Sequence, residues 1–124
     1  MSIQNLQEIA VNLVSEGTRI EGKITFDFVS RVHGILIGEI KAKEGSTLIL
    51  GETSVTEGSI EADTLIIDGY VQGNITAKSK IMISRTGRVI GNIQSPSVIV
   101  EFGAFFEGQC YSTRTNLSES PKTL

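Results

Sequence analysis

Ile67-Asp68-Gly69-Tyr70-Val71-Gln72-Gly73-Asn74-Ile75 and Gly87-Arg88-Val89-Ile90-Gly91-Asn92-Ile93 are two copies of one pattern. A glycine leads, a short stretch follows, and a Gly-x-Ile tripeptide closes the unit. Six variants of the tripeptide occur: Gly22-Lys23-Ile24, Gly38-Glu39-Ile40, Gly58-Ser59-Ile60, Gly73-Asn74-Ile75, Gly91-Asn92-Ile93 and Gly108-Gln109-Cys110. Their glycines are 16, 20, 15, 18 and 17 residues apart. The leading marker falls four or five residues earlier, at Gly17, Gly34, Thr53, Gly69, Gly87 and Gly103. An order kept over six copies is an internal repeat, and units this short stack on one another rather than fold alone.

Within a unit, each Gly-x-Ile is followed two places on by a small residue, as in Ile40/Ala42, Ile60/Ala62, Ile75/Ala77 and Ile93/Ser95. That alternation marks a strand with one buried face. A third stretch, Leu48-Ile49-Leu50, Leu65-Ile66-Ile67, Ile81-Met82-Ile83 and Val98-Ile99-Val100, is strand-tolerant and bounded by polar residues or glycine. Each unit thus reads as three short strands joined by tight corners. Stacking pairs each strand in parallel with its equivalents above and below and merges the inward side chains into one core. The expected fold is all-β, a parallel β-helix of about six coils. Coils of 15 to 20 residues that keep no aliphatic beat at every sixth position favour the right-handed form over the left-handed hexapeptide form.

Composition removes several classes of function. The 124 residues suit a single domain. Eleven basic against 14 acidic residues give a net charge of −3, which disfavours a nucleic-acid surface. One cysteine, Cys110, and one histidine, His33, exclude a disulfide framework and a metal centre built on several such ligands. A lone thiol suits a reducing cytoplasm. No apolar run exceeds three residues and no basic-then-apolar leader opens the sequence, so neither a membrane span nor a secretory signal is expected. Gly-x-Gly, Gly-x-Ser-x-Gly and adjacent glycines do not occur, and Gly22-Lys23 is followed by Ile24. The nucleotide fingerprints, the hydrolase elbow and the calcium-binding roll are therefore missing. A β-helical acyltransferase would rest on His33 alone, beside Gly34 at a corner. The expectation is no enzyme and no cofactor.

The Gly-x-Ile ladder, with the two stretches quoted at the outset, resembles the bactofilins over residues 17–113. The resemblance implies a right-handed β-helical core flanked by short tails. It also implies polymerisation without nucleotide, by end-to-end stacking, into cytoskeletal filaments that shape the cell or position other proteins. Such scaffolds often lie at the inner face of the cytoplasmic membrane. The region 51–58 departs from the pattern, because the coil is longer there and Thr53 replaces the leading glycine. The rival is a β-helical adaptor that binds a protein partner without polymerising.

Four features bear on that function. Phe26 and Phe28 lie in the first coil and Phe102, Phe105 and Phe106 in the last, with none between. The ends of a solenoid expose core and unpaired backbone, so these rings are either polymerisation interfaces or plugs covered by the chain's own tails. Ile49, Ile66, Met82 and Ile99 are apolar centres between apolar flanks, and alternation sends centre and flanks to opposite faces. They form a lateral stripe, a surface covered by a tail, or a corner tucked sideways. In the N-terminal tail, residues 1–16, Ile3, Leu6, Ile9 and Leu13 fall at helical spacing. That stripe suits a membrane surface, a partner or an end cap, the alternative being a disordered tail, and the segment has no Lys or Arg before Arg19 to attract anionic lipid. The C-terminal tail, residues 114–124, is polar and is expected to be disordered. Finally, Glu52, Glu57, Glu61, Asp63 and Asp68 form an acidic block followed by the bases Lys78, Lys80, Arg85 and Arg88, which read first as solvated faces.

Overall fold

The computed structural model describes residues 11–112 and 122–123. Among them there are thirteen strands and no helix. In chain order these are β1 (Val11–Val14), β2 (Arg19–Phe26), β3 (Val29–Val32), β4 (Ile35–Ala42), β5 (Thr47–Leu50), β6 (Val55–Ile67) and β7 (Tyr70–Ile83). Then follow β8 (Arg88–Ile90), β9 (Ile93–Ser95), β10 (Val98–Val100), β11 (Phe105–Glu107), β12 (Gln109–Ser112) and β13 (Lys122–Thr123). All pair in parallel except β13, which lies antiparallel on β12. The chain winds as a solenoid of six coils with three faces. β1, β3, β5, the second halves of β6 and β7, and β10 stack as the first face. Residues 19–21, 35–37, 55–57, 70–72, 88–90 and 105–107 form the second face, and the segments after each corner glycine form the third.

The corner between the second and third faces explains the Gly-x-Ile beat. Gly22, Gly38, Gly58 and Gly73 are in register, and all six corner glycines have φ between 123° and 146°. Only glycine takes that conformation without strain. A Cβ on Gly73 would also overlap the carbonyl oxygen of Gly58 one coil below. The isoleucine two places on then points inward, so Ile24, Ile40, Ile60, Ile75 and Ile93 form a column that Cys110 completes. Cys110 is buried in that column. The small residues beyond it, Ala62 over Ala77 for example, fill the narrow apex next to the following corner.

The leading marker is one residue out of register in three coils. Backbone bonds from Ile35 to Thr18, Val55 to Gly34, Tyr70 to Ser54, Arg88 to Gly69 and Phe105 to Gly87, at 2.8–3.1 Å, stack Thr18, Gly34, Ser54, Gly69 and Gly87. Thr53 therefore substitutes for nothing; the equivalent residue is Ser54, buried and donating from Oγ to the Gly51 carbonyl at 2.7 Å. Gly17 and Gly103 belong to a different device, four-residue turns closed by Thr18 on Ser15 and Ala104 on Glu101. Their φ values of 94° and 98° serve the turn. Coil length varies because some coils use such a turn while the coils at His33-Gly34 and Asp68-Gly69 use two residues. The longest step, 38 to 58, contains two turns, closed by Ser46 on Lys43 and by Ser54 on Gly51.

The solenoid begins earlier than residue 17. Val11–Val14 is the opening rung of the first face and pairs in parallel with Val29–Val32. Leu13 is therefore a strand residue whose side chain points out, opposite the buried Val14, and does not continue a helical stripe. Period-two and period-3.6 patterns coincide over so short a stretch, and pairing with β3 decides between them. Ile3, Leu6 and Ile9 lie outside the described residues. At the other end, Lys122–Thr123, within the segment expected to be disordered, is paired with Gln109–Cys110.

Candidate assembly surfaces

Among the described residues the six stacked coils leave two open edges. There the first-coil strands β1 and β2 each pair on one side only, with β3 and β4, and the last-coil strands β10 and β11 pair only with β7 and β8. Such edges present rows of unpaired N–H and C=O groups to any further strand. At the last coil, two residues of the third face are covered by β13. Exposed large apolar side chains concentrate at the same places. Leu13, Phe28 and Val29 belong to the first coil and the start of the second; Ile99, Phe102, Phe105 and Tyr111 belong to the sixth.

The five phenylalanines divide into two classes. Phe26 and Phe106, 7% and 6% exposed, are core residues rather than part of an exposed interface. Pleat parity is the reason. Phe26 follows the inward Ile24 by two and lies in register with Ala42, where its ring occupies the apex of the first coil. Phe106 lies over Val89 and closes an inward column of the second face. Phe28, Phe102 and Phe105 face solvent at 62%, 99% and 45%. Phe28 has φ 59°, a left-handed conformation that an aromatic residue rarely takes, held by its own N–H donating to Asp27 Oδ1 at 2.8 Å. Together with Asn12, Thr25, Phe26, Asp27 and Lys43 it lines a groove of about 410 Å³ at the first-coil end. Phe102 sits in the Glu101–Ala104 turn, and Phe105 lies beneath the Arg88 guanidinium, 5.8 Å from the ring centroid. Sequence reading missed Val29 and Tyr111, whose outward parity was legible, and the strain at Phe28, whose only signal is Asp27 ahead of it.

On the sides of the solenoid, Ile49, Ile66, Met82 and Ile99 are in register and alternate with flanks that are buried, or half-buried at Val98 and Val100 in the last coil, so they point outward as one column rather than tucking sideways. The charge blocks do not face each other as blocks. Ion pairs link successive coils on the third face, Lys23 with Glu39 at 4.0 Å and Lys41 with Glu61 at 3.9 Å, both well exposed and weak. Asp63 sits where β6 shifts register against β7. It accepts hydrogen bonds from the Ser79 hydroxyl and the Gly45 N–H, and these hold its carboxyl below the usual range. His33 is half-buried at its corner against Gly51 and lies beside Glu16 and Glu52. Among the described residues no three His, Cys, Asp or Glu side chains converge on a metal site, and no helix is long and apolar enough to cross a membrane.

The solenoid has the extent of a known family. Residues 12–111 match the family model for bactofilins, described as polymer-forming cytoskeletal. The chain belongs to the bactofilin family. Bactofilin BacP of Myxococcus xanthus (strain DK1622) is 33% identical over 97 residues, which cover 78% of this chain and 40% of that relative. Bactofilin BacO of the same organism is 32% identical over 100 residues, 81% of this chain and 78% of the relative. No solved structure matches significantly. The matched span of this bactofilin coincides within one residue at each end with its six coils, β1 to β12. As bactofilins are polymer-forming cytoskeletal proteins, the family is structural rather than catalytic.

Proposed function

We propose that this bactofilin is a cytoplasmic cytoskeletal scaffold that assembles without nucleotide into filaments by stacking its solenoids end to end, and that the filaments support cell shape or position other proteins. The observation that carries the reading is the coincidence, at both ends, of open parallel strand edges with the large exposed apolar side chains. Each junction would pair backbone on the first and second faces, with β13 displaced from the third where the sixth coil takes part, and remove Phe28 or Phe102 and Phe105 from water. Full burial of one such ring contributes about 1.5–3 kcal/mol before association costs, so one ring is insufficient and the edge must act as a unit. No step of this assembly calls for a phosphate-binding loop, in keeping with the missing nucleotide fingerprints.

Negative-stain microscopy of the purified chain in nucleotide-free buffer tests the reading. Filaments are expected, with one subunit per roughly 29 Å of length, six rungs at the strand spacing. A single sedimenting species of one-subunit mass at high concentration would leave the non-polymerising adaptor instead.

A further inference from the structure

The two ends of the solenoid are not equivalent. Among the described residues the third-face half of β2 in the first coil, residues 23–26, pairs only with β4. Its counterpart in the last coil, β12, pairs with β9 on one side and with β13 on the other. There Gln109 stands opposite Thr123 and Cys110 opposite Lys122, and the pairing is antiparallel, unlike every coil-to-coil pair. One strand edge carries a single row of donors and acceptors. A further coil and β13 therefore compete for the same backbone. The rest of that end is open: β10 and β11 have no outer partner, and Ile99, Phe102 and Phe105 are exposed beside them.

We propose that the C-terminal segment, residues 113–124, is a removable guard: β13 closes the third-face edge of the last coil in the single subunit and must leave before that end accepts another. The segment thereby sets the concentration at which filaments form. The proposal rests on the end-to-end reading above. The guard is short. It covers two residues of β12, and Pro121, which has no N–H to donate, stands directly before it. Tyr111 and Ser112, the remaining residues of β12, have no partner on that side among the described residues. An incoming subunit can thus pair with β10, β11 and the end of β12 first and displace β13 afterwards. The composition fits the same task. A very short strand, a proline and a lysine are the means by which proteins keep an exposed edge from recruiting further strands, and Pro121-Lys122-Thr123 combines all of them. Once seated, β13 ends the sheet instead of extending it. Tethering makes the competition depend on concentration. The guard's effective concentration is fixed by its linker, whereas that of a second subunit rises with the amount of protein, so the guard prevails in dilute solution and the filament in concentrated solution.

The test compares three chains in nucleotide-free buffer: the full chain, a chain ending at Ser120, and the full-length double variant Lys122→Pro, Thr123→Pro. The double variant removes both backbone donors of β13 and keeps the length of the segment. Light scattering gives the lag before assembly, and pelleting gives the protein left in the supernatant at equilibrium. Both variants should shorten the lag and lower the supernatant concentration at least about fivefold, because a two-residue backbone pairing no longer opposes the junction. Filaments from both variants and none from the full chain would support the guard equally. A supernatant concentration that fails to fall in either variant overturns it: β13 then either stays in place within the filament or excludes subunits by bulk alone. Loss of the β-rich circular dichroism in either variant also overturns it, by making β13 part of the folding core. No filaments from any of the three chains overturns the end-to-end reading instead.

Discussion

Thr56 is the one polar residue in an inward column of the second face that otherwise runs Ile20, Leu36, Val71, Val89 and Phe106. It is 0% exposed, and its Oγ1 has no hydrogen-bond partner among the described residues. A buried hydroxyl without a partner costs about 1–3 kcal/mol, and replacing it by a methyl group of the same shape removes that cost. Thr56→Val keeps the β-branched outline that the rung between Leu36 and Val71 accommodates, so a gain of about 1–2 kcal/mol is expected. For a folded region of about 100 residues that raises the melting midpoint by about 5–10 °C. Assembly would stabilise the folded state by mass action, so the measurement belongs in a Phe105→Arg background, by thermal and urea unfolding. Thr56→Ser, which keeps the hydroxyl and deletes the methyl, should instead lose stability. A midpoint for Thr56→Val at or below the parent would show that the hydroxyl has a partner in the core, and would refute the reasoning.

Phe105→Arg should abolish filaments in negative stain while the subunit keeps its β-rich circular dichroism, its melting midpoint falling only by the stabilisation that assembly adds, because the ring is a surface group whereas an added guanidinium would be desolvated at each junction. Phe28→Gly should raise subunit stability in the same Phe105→Arg background by relieving the left-handed backbone, a strain of about 1–3 kcal/mol; in the otherwise wild-type chain it should weaken assembly by sedimentation. Asp63 has a lowered folded-state pKa, so its contribution to stability is complete above its ordinary value of 3.8 and is lost as pH falls through the lowered one. Asp63→Asn should therefore be less stable than wild type at neutral pH in chemical denaturation, with the difference closing only below about pH 4.

The repeat was legible because its corner makes two independent demands on one residue: a positive φ, and no Cβ above the preceding glycine carbonyl. No other residue type meets both, so the glycine recurs in every coil. The outward column was legible too, since Leu48-Ile49-Leu50 and its equivalents admit only two parities. The leading marker was misread because Gly17 and Gly103 answer to turns while Thr18, Ser54 and Ala104 answer to stacking, and adjacent small residues conceal which is which. Phe26 and Phe106 were grouped with the exposed rings because aromatic content was counted without parity. Phe105 and Phe106 are neighbours in one strand and must face opposite ways, so one of them had to be inside. The pairing of Lys122–Thr123 with Gln109–Cys110 left no trace, since two residues carry no period.

The division of the rings has a physical consequence for how an open-ended solenoid remains a separate folded unit before it assembles. Each inward column must end somewhere. In the apex column the first coil ends on Phe26 next to Ala42, and in the second-face column the last coil ends on Phe106 over Val89. A large ring in the terminal coil fills the end of its own column, while Ile20 and Ile24 in the first coil and Val98, Val100 and Ala104 in the last stay only partly buried. The backbone edge beside it cannot be closed in this way, because no side chain supplies a row of alternating donors and acceptors. Core closure and edge pairing are thus separate tasks carried by different residues. Truncating Phe26 or Phe106 to Ala should cost about 3–5 kcal/mol and act on folding. Changes at Phe105 should act on assembly. A Phe106→Ala chain that melts like wild type but no longer polymerises would break that separation.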